Sequence, residues 1–298
     1  MHGNHEVVQL LLDQAQIDPN LANNHDWTPL LFALAEGNFG VALLHLVRAD
    51  VDPNCADRSG RTALSWAAMH GSHEVVQLLL ERVHIDPNLA DDNGRTPLLF
   101  ALAEGNFEVG LLLLARADVD PNCADASGRT ALSWAAIHGS HEVVQLLLKQ
   151  AQIDPNLVDD NGWTPLLLAL ERGNFEVVLL LLTQTDVDPY SADERGRTAL
   201  SWAAMHGNHD VVQLLLERAQ IDPNLADNNG WTPLLLASAN GNFEVALLLL
   251  ALADIDPNCA DESGRTPLSW AAMHGNHEVV QLLLERAQID PNLADNTG

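Results

Sequence analysis

A Thr-Pro-Leu or Thr-Ala-Leu triplet returns every 34 residues along this chain, at Thr28, Thr62, Thr96, Thr130, Thr164, Thr198, Thr232 and Thr266. Residues 26–297 therefore divide into eight consecutive units without linker or insertion: 26–59, 60–93, 94–127, 128–161, 162–195, 196–229, 230–263 and 264–297. Residues 1–25 align with the last 25 residues of a unit and predict a second helix and its loop, and Gly298 matches the first residue of a further unit. A period of this length constrains the fold more than any local motif. One such unit cannot bury an apolar face by itself, so neighbours must stack and the core must run along the stack.

The unit from Gly60 to Asn93 shows how each copy folds. Thr62 is a good N-cap, and Pro follows the Thr in five of the eight copies, where its missing N–H costs nothing. Leu64, Trp66, Ala67 and Ala68 predict a short helix with small residues on one side, ended by Gly71. Ser72, or Asn in other copies, is placed to cap a second helix, and Glu74 lies near its positive end. Val75, Val76, Leu78, Leu79 and Leu80 make that helix apolar around most of its circumference, so it must lie between neighbours. Ile85-Asp86-Pro87-Asn88 then opens an extended turn that runs to the next Gly-x-Thr.

Gly-x-Thr-Pro-Leu-x-x-Ala-x-x-x-Gly-x-x-x-Val-x-x-Leu-Leu, well shown from Gly94 to Leu98 and from Gly264 to Ala272, resembles the ankyrin repeat over the whole chain. The resemblance implies an all-α ankyrin-repeat solenoid of helix-turn-helix units joined by hairpin-like loops. The Leu-Ser-Trp-Ala-Ala variant resembles long ankyrin arrays of fungal proteins, some of which carry a nucleotide-binding signalling domain elsewhere. Three departures concern the loops: Ser65 or Leu99 replaces the family's His, residues such as Val83 and Ala117 replace its Gly after the second helix, and the period is one residue longer than usual.

A second period overlies the first. Units starting at 60, 128, 196 and 264 read Leu-Ser-Trp-Ala-Ala with His-Gly-(Ser/Asn)-His at the turn. Those starting at 26, 94, 162 and 230 read Leu-Leu-(Phe/Leu)-Ala with Gly-Asn-Phe at the turn. The units at 196 and 264 differ at three positions, so duplication of a two-unit block is the simplest account.

Charge, cysteines and hydropathy exclude several classes. The net charge of −27 repels phosphate backbones, which argues against a nucleic-acid partner. Its functional consequence would be attraction to a basic partner. The Asp columns, however, follow the turns rigidly, at Asp52, Asp86 and their equivalents and at Asp57, Asp91 and theirs, so each Asp reads first as a residue that closes its own turn. Cys55, Cys123 and Cys259 share one phase of the repeat, two or more units apart. Stacked helices at roughly 8–10 Å keep them about 20 Å apart, too far for an intrachain disulfide. No apolar run is long enough to span a bilayer, and the first residues lack a secretory signal pattern. These features point to an intracellular protein, cytoplasmic or nuclear, without a membrane segment and forming part of a longer chain.

Candidate chemistry is sparse. His70 with His73, His138 with His141, His206 with His209 and His274 with His277 invite a metal reading. A Gly lies between the two rings of each pair and no cysteine stands at matching phase, so turn packing is preferred and no metal or other cofactor is assigned. Neither a phosphate-binding Gly-Lys loop nor Gly-x-Ser-x-Gly occurs, and almost every polar residue recurs with the period, whereas an active site is one asymmetric constellation. The chain reads as no enzyme.

What remains is a surface. By the resemblance, partners dock on the concave face made by hairpin tips and first helices. The residue between Gly and Thr projects there: Trp27, Arg61, Arg95, Arg129, Trp163, Arg197, Trp231 and Arg265. Trp and Arg often dominate binding energy. The alternative is that they pack on adjacent hairpins or pair with the Asp columns. Trp163 and Trp231 are expected to expose their rings, whereas Trp66, Trp134, Trp202 and Trp270 are expected in the core. Residues that break the repeat add Arg172, Tyr190 and Arg195, with Lys149 and Gln150 just before them. The resulting expectation is a non-catalytic scaffold that binds a protein partner. Its rivals are a recognition array of a larger signalling or immune-type protein and, from another class, a metal-dependent enzyme.

Overall fold

The computed structural model describes residues 5–12, 17–150, 152–218, 221–286, 288–293 and 295–296. It divides into two compact units, residues 1–154 and 155–298. In the first unit the helices are α1 (His5–Leu12), α2 (Pro29–Ala35), α3 (Phe39–Leu46), α4 (Ala63–Met69), α5 (His73–Leu80), α6 (Pro97–Ala103), α7 (Phe107–Leu114), α8 (Ala131–His138) and α9 (His141–Leu148). In the second they are α10 (Pro165–Arg172), α11 (Phe175–Leu182), α12 (Ala199–His206), α13 (His209–Leu216), α14 (Pro233–Asn240), α15 (Phe243–Leu250), α16 (Pro267–Met273) and α17 (His277–Leu284).

Each first helix starts where its Thr stops being extended. Thr62 holds φ −85° and ψ 174°, and its hydroxyl accepts from the Ser65 amide at 3.2 Å. Every other Thr of the column caps its helix in the same way. Ser65 also restores a polar contact at the position where a His was missed, since its hydroxyl lies 3.1 Å from that of Thr62. The helices end on a glycine in the left-handed region, as at Gly139 with φ 72°, a conformation that only glycine adopts without strain.

The second helices start differently from the sequence expectation. Ser72 and Ser140 make no side-chain cap, and among the second helices with a described N-cap only Asn208 does so, accepting from the Val211 amide at 2.9 Å. The amides of Asn106, Asn242 and Asn276 are directed to another repeat instead, as shown below.

Packing follows two layers. First helices stack as α2 on α4, α4 on α6 and α6 on α8, and again as α10 on α12, α12 on α14 and α14 on α16. Second helices stack as α1, α3, α5, α7 and α9, and again as α11, α13, α15 and α17. The core lies between the layers. Leu64, Ala67 and Ala68 of α4 and Val75, Val76 and Leu79 of α5 are all inaccessible to solvent. Removing such side chains from water is the main stabilising term, about 1.5–3 kcal/mol for each large one. Arginines near the ends of the second helices tie successive repeats together: Arg116 Nη1 donates to the Leu80 carbonyl at 2.6 Å, and Arg82 and Arg218 reach the Leu46 and Leu182 carbonyls. Those carbonyls belong to the last turn of a helix and have no intrahelical donor.

Candidate protein-interaction surface

The hairpin tips are built by aspartate. Asp57 Oδ1 accepts from the amides of Ser59 and Arg61 at 2.9 and 3.1 Å, closing the turn around Gly60. Asp91, Asp125, Asp193, Asp227 and Asp261 repeat the arrangement. The other Asp column does the same two residues on, with Asp52 accepting from Asn54 and Asp86 from Asn88, both at 2.9 Å. More than half of the aspartates in this chain therefore stand at turn-closing positions. Several tips also bond the next hairpin, for example from the Asp92 amide to the Ser59 carbonyl at 2.9 Å and from the Asn228 amide to the Arg195 carbonyl at 2.8 Å.

The Asp side chains have a second use. Asp57 Oδ2 accepts from Trp66 Nε1 at 3.2 Å, and Asp125, Asp193 and Asp261 accept from Trp134, Trp202 and Trp270 at 3.0, 3.3 and 2.9 Å. This tether corrects the expected placement of the helix tryptophans. Only Trp202 is buried, at 6% exposure, while Trp66, Trp134 and Trp270 are half-buried. Their indole edge is held at the hairpin, so the ring lies between hairpin and helix and not within the alanine-lined core.

The tip residues cover those rings. Guanidinium groups of Arg61, Arg129, Arg197 and Arg265 lie 4.7, 5.2, 4.0 and 5.2 Å from the centroids of Trp66, Trp134, Trp202 and Trp270, and Arg95 lies 5.7 Å from Phe100. From the preceding hairpin, Trp27, Trp163 and Trp231 approach Trp66, Trp202 and Trp270 at 5.5, 5.5 and 4.7 Å. The whole tip column is half-buried. Trp163 and Trp231 are thus not exposed rings, because stacking lays each hairpin over the following first helix.

Sequence reasoning missed how these aromatic groups extend. His70, His138 and His206 stack on the Trp one turn before them at 5.9, 6.2 and 6.0 Å. Phe39, Phe107 and Phe175, from the turn of the preceding repeat, meet the same imidazoles edge-on at 6.1, 6.1 and 5.9 Å. His138 Nε2 donates to the Ala103 carbonyl at 3.0 Å. Burial holds the His206 imidazole below its ordinary range, opposed by its bond to the Glu171 backbone. The alternation of Phe and His at successive turns was the available signal. Among the described residues no three His, Cys, Asp or Glu side chains gather in a way that could hold a metal ion.

The cysteines are half-buried free thiols. Burial pushes Cys55 and Cys259 up to about 11, which leaves little thiolate at neutral pH.

In the second unit the tip column opens into a cleft of about 390 Å³ lined by Arg195, Arg197, Trp231, Asn229, Trp270 and His274, among others. Arg197 is committed, since its Nε donates to Asp193 Oδ2 at 3.1 Å. Arg195 is exposed and is the one arginine in its column, which otherwise reads His25, Ser59, Asn93, Ser127, Asn161, Asn229, Ser263 and Thr297. The other repeat-breaking residues do not join it. Arg172 is exposed at the end of α10 with Nε 3.3 Å from Glu171 Oε2, and Tyr190 is 45% exposed in the loop after α11; neither lines the cleft.

Two family descriptions match the sequence. Ankyrin repeats (3 copies) match residues 40–125, 111–193, 185–261 and 220–295, and ankyrin repeats (many copies) match residues 1–45. The chain belongs to the ankyrin-repeat family, whose repeats are generally protein–protein interaction modules. No curated protein matches it. No helix of the described residues is long and apolar enough to cross a membrane.

Proposed function

We propose that the chain is a non-catalytic scaffold that binds a protein partner across its hairpin tips and first helices, centred on the cleft between Arg195 and Trp231. The observation that carries this reading is the composition of that cleft. Aromatic faces of Trp231 and Trp270 adjoin the exposed Arg195, and concave sites of this kind supply most binding energy. Elsewhere the tip arginines and tryptophans are largely engaged with neighbouring rings, so Arg61, Arg95, Arg129 and Trp27 contribute shape more than free donors. Arg172 and Tyr190 would form a separate, peripheral contact. The array supports protein recognition better than chemistry, because its polar groups are spent on turns and helix ends. Cysteines that remain free thiols are consistent with an intracellular location.

A photo-crosslinking amino acid at Asn229, in the cleft, and one at Gln213, on the exposed side of a second helix, provide the test in lysate of the source cells. A protein captured from position 229, absent at position 213 and lost on Arg195→Glu, is the expected result. Capture at position 213 that survives Arg195→Glu would place recognition on the other face.

A further inference from the structure

Two of the turn aspartates hold a cation against an indole. Asp193 Oδ2 accepts from Arg197 Nε at 3.1 Å and from Trp202 Nε1 at 3.3 Å, while the Arg197 guanidinium lies 4.0 Å from the Trp202 ring centroid. In the first unit Asp57, Arg61 and Trp66 repeat the arrangement, with Arg61 Nε 3.8 Å from Asp57 Oδ2 and its guanidinium 4.7 Å from the ring. Carboxylate, guanidinium and indole form a closed set: the charge is paired, and the cation faces the negative surface of the ring.

One repeat after Arg197 the set lacks its cation. Trp231 stands where Arg197 stands, and Leu236 stands where Trp202 stands. Asp227 still closes its turn through Oδ1, which accepts from the amides of Asn229 and Trp231, both at 2.9 Å. Among the described residues neither an arginine nor an indole N–H reaches Asp227 Oδ2. The carboxylate is also open. Asp227 is half-buried and lines the cleft, whereas Asp57, Asp91, Asp125, Asp159, Asp193 and Asp261 are buried, at 3–8% exposure. Two neighbours in the cleft complete a receptor around it. Trp231 is braced by Trp270 at 4.7 Å between centroids, and Asn240 spends its Nδ2 on the Leu236 carbonyl at 2.8 Å, which leaves Oδ1 as an acceptor.

On the reading that this cleft is the docking site, we propose that it takes an arginine side chain of a basic protein segment, the guanidinium lying on the Trp231 ring and donating to Asp227 Oδ2. The partner thereby supplies the one group that the neighbouring repeat supplies for itself. Charge favours this at two ranges. The net charge of −27 draws a basic segment from a distance, and the hairpin tips on either side of Asp227 carry the exposed Glu194 and Glu262. Arginine is preferred to lysine because its planar fork can stack on an indole and still donate to a carboxylate, which an ammonium cannot match. Arg195 has a different task. Its described hydrogen bonds run through the backbone alone, from its amide to Asp193 Oδ1 at 2.9 Å and from the Asn228 amide to its carbonyl at 2.8 Å. Its guanidinium is therefore available to a main-chain carbonyl of the same segment.

The seven tryptophans give a small set of indole proton–nitrogen correlations, and the Trp231 signal is assigned by its loss in Trp231→Phe. The probe is N-acetyl-arginine methylamide, compared with its lysine analogue and with its citrulline analogue, a neutral isostere of arginine. A saturable shift of the Trp231 signal is expected with the arginine probe, at least about fivefold weaker with lysine and absent with citrulline. Asp227→Asn should weaken the arginine probe at least about fivefold. The turn tolerates that change, since Asn23 holds the same position in an earlier hairpin and accepts from the His25 and Trp27 amides at 2.8 and 3.2 Å. Unchanged affinity in Asp227→Asn, or a Trp231 shift that lysine or citrulline reproduces at equal concentration, would overturn the proposal. Photo-crosslinking from Asn229 separates this outcome from failure of the docking site itself. Capture that is lost on Arg195→Glu but retained in Asp227→Asn keeps the docking site and overturns the arginine. Arginine-specific shifts at Trp231 without any capture keep the arginine pocket and overturn docking of a cellular protein there.

Discussion

The seam from α2 to α4 and the seam from α4 to α6 join successive repeats of one fold by different chemistry. The first is aromatic: Trp27 and Phe39 of one repeat meet Trp66 and His70 of the next. The second rests on an amide, with Asn106 reaching two carbonyls at the end of α4. The second unit shows the same alternation, with Trp163 and Phe175 against Trp202 and His206, then Asn242 against α12. Among the described residues no ring pair crosses a seam of the amide kind. Asn276 shows that an amide can also be added to an aromatic seam, from the α16–α17 repeat back to Ser238 and Ala239. The difference explains why the sequence repeats in pairs. A helix Trp needs partners in the preceding repeat, an Asn needs a glycine and free carbonyls there, and neither set is useful without the other.

The comparison can be broken most directly at Trp202. Replacing it with Ala removes a buried ring and its bond to Asp193, and should cost about 3 kcal/mol in urea unfolding. A loss below about 1 kcal/mol would mean that the aromatic seam is decoration. Trp163→Ala strips one face of the same stack from a half-buried position and should cost about 1.5 kcal/mol. At the amide seam, Asn242→Ala leaves two carbonyls without their donor and should cost about 1 kcal/mol, with faster amide exchange confined to α12, α14 and α15. Equal losses for Trp202 and Asn242 would erase the distinction between seams.

Two substitutions sharpen it by adding stability. His45 occupies a position that is Leu in every other second helix, is 6% exposed, and has no partner for Nδ1. His45→Leu should add about 1 kcal/mol at neutral pH. Burial first, and then the nearby Arg48, hold the His45 imidazole below its ordinary value of about 6.5. The folded state thus binds this proton less tightly than the unfolded state does. Its contribution is complete above about pH 6.5 and is lost as pH falls below that value towards the lowered one. The Leu variant should lose that part of the pH slope, measured by thermal melts across the range.

The smallest effect is expected at Tyr190. Asn20, Asn54, Asn88, Asn156, Asn224 and Asn258 each accept, through Oδ1, from the amide of the Asp two positions before the next repeat's equivalent residue, at 2.7–3.1 Å. Tyr190 stands in that column and offers no such acceptor towards Asp222. Tyr190→Asn should complete the ladder and raise the unfolding free energy by about 0.5 kcal/mol. No change would show that the ladder is worth less than its regularity suggests.

Much of this was legible in the sequence. Thr as N-cap, Gly as helix stop and Asp as turn closer are local effects, set within a few residues of the chain. The apolar second helices were equally plain from Val75 to Leu80. The second-helix caps and the two tryptophan columns were not. Ser72 looked like a cap by position, and Asn106 looked the same, but the structure gives Asn106 a partner 37 and 38 residues away. Nothing in the local spacing reveals that choice.

The sequence by itself determined that there would be a stack, where each helix begins and ends, and that the polar groups would recur and not converge. Those properties follow from periodicity and short-range bonding. Only the tertiary structure decided which residues are shared between repeats. It set Trp163 against Trp202, raised Arg195 into an open cleft and left Arg172 and Tyr190 outside it. Stacking carries a hairpin over its neighbour's first helix, so the exposure of a side chain depends on a residue one repeat away.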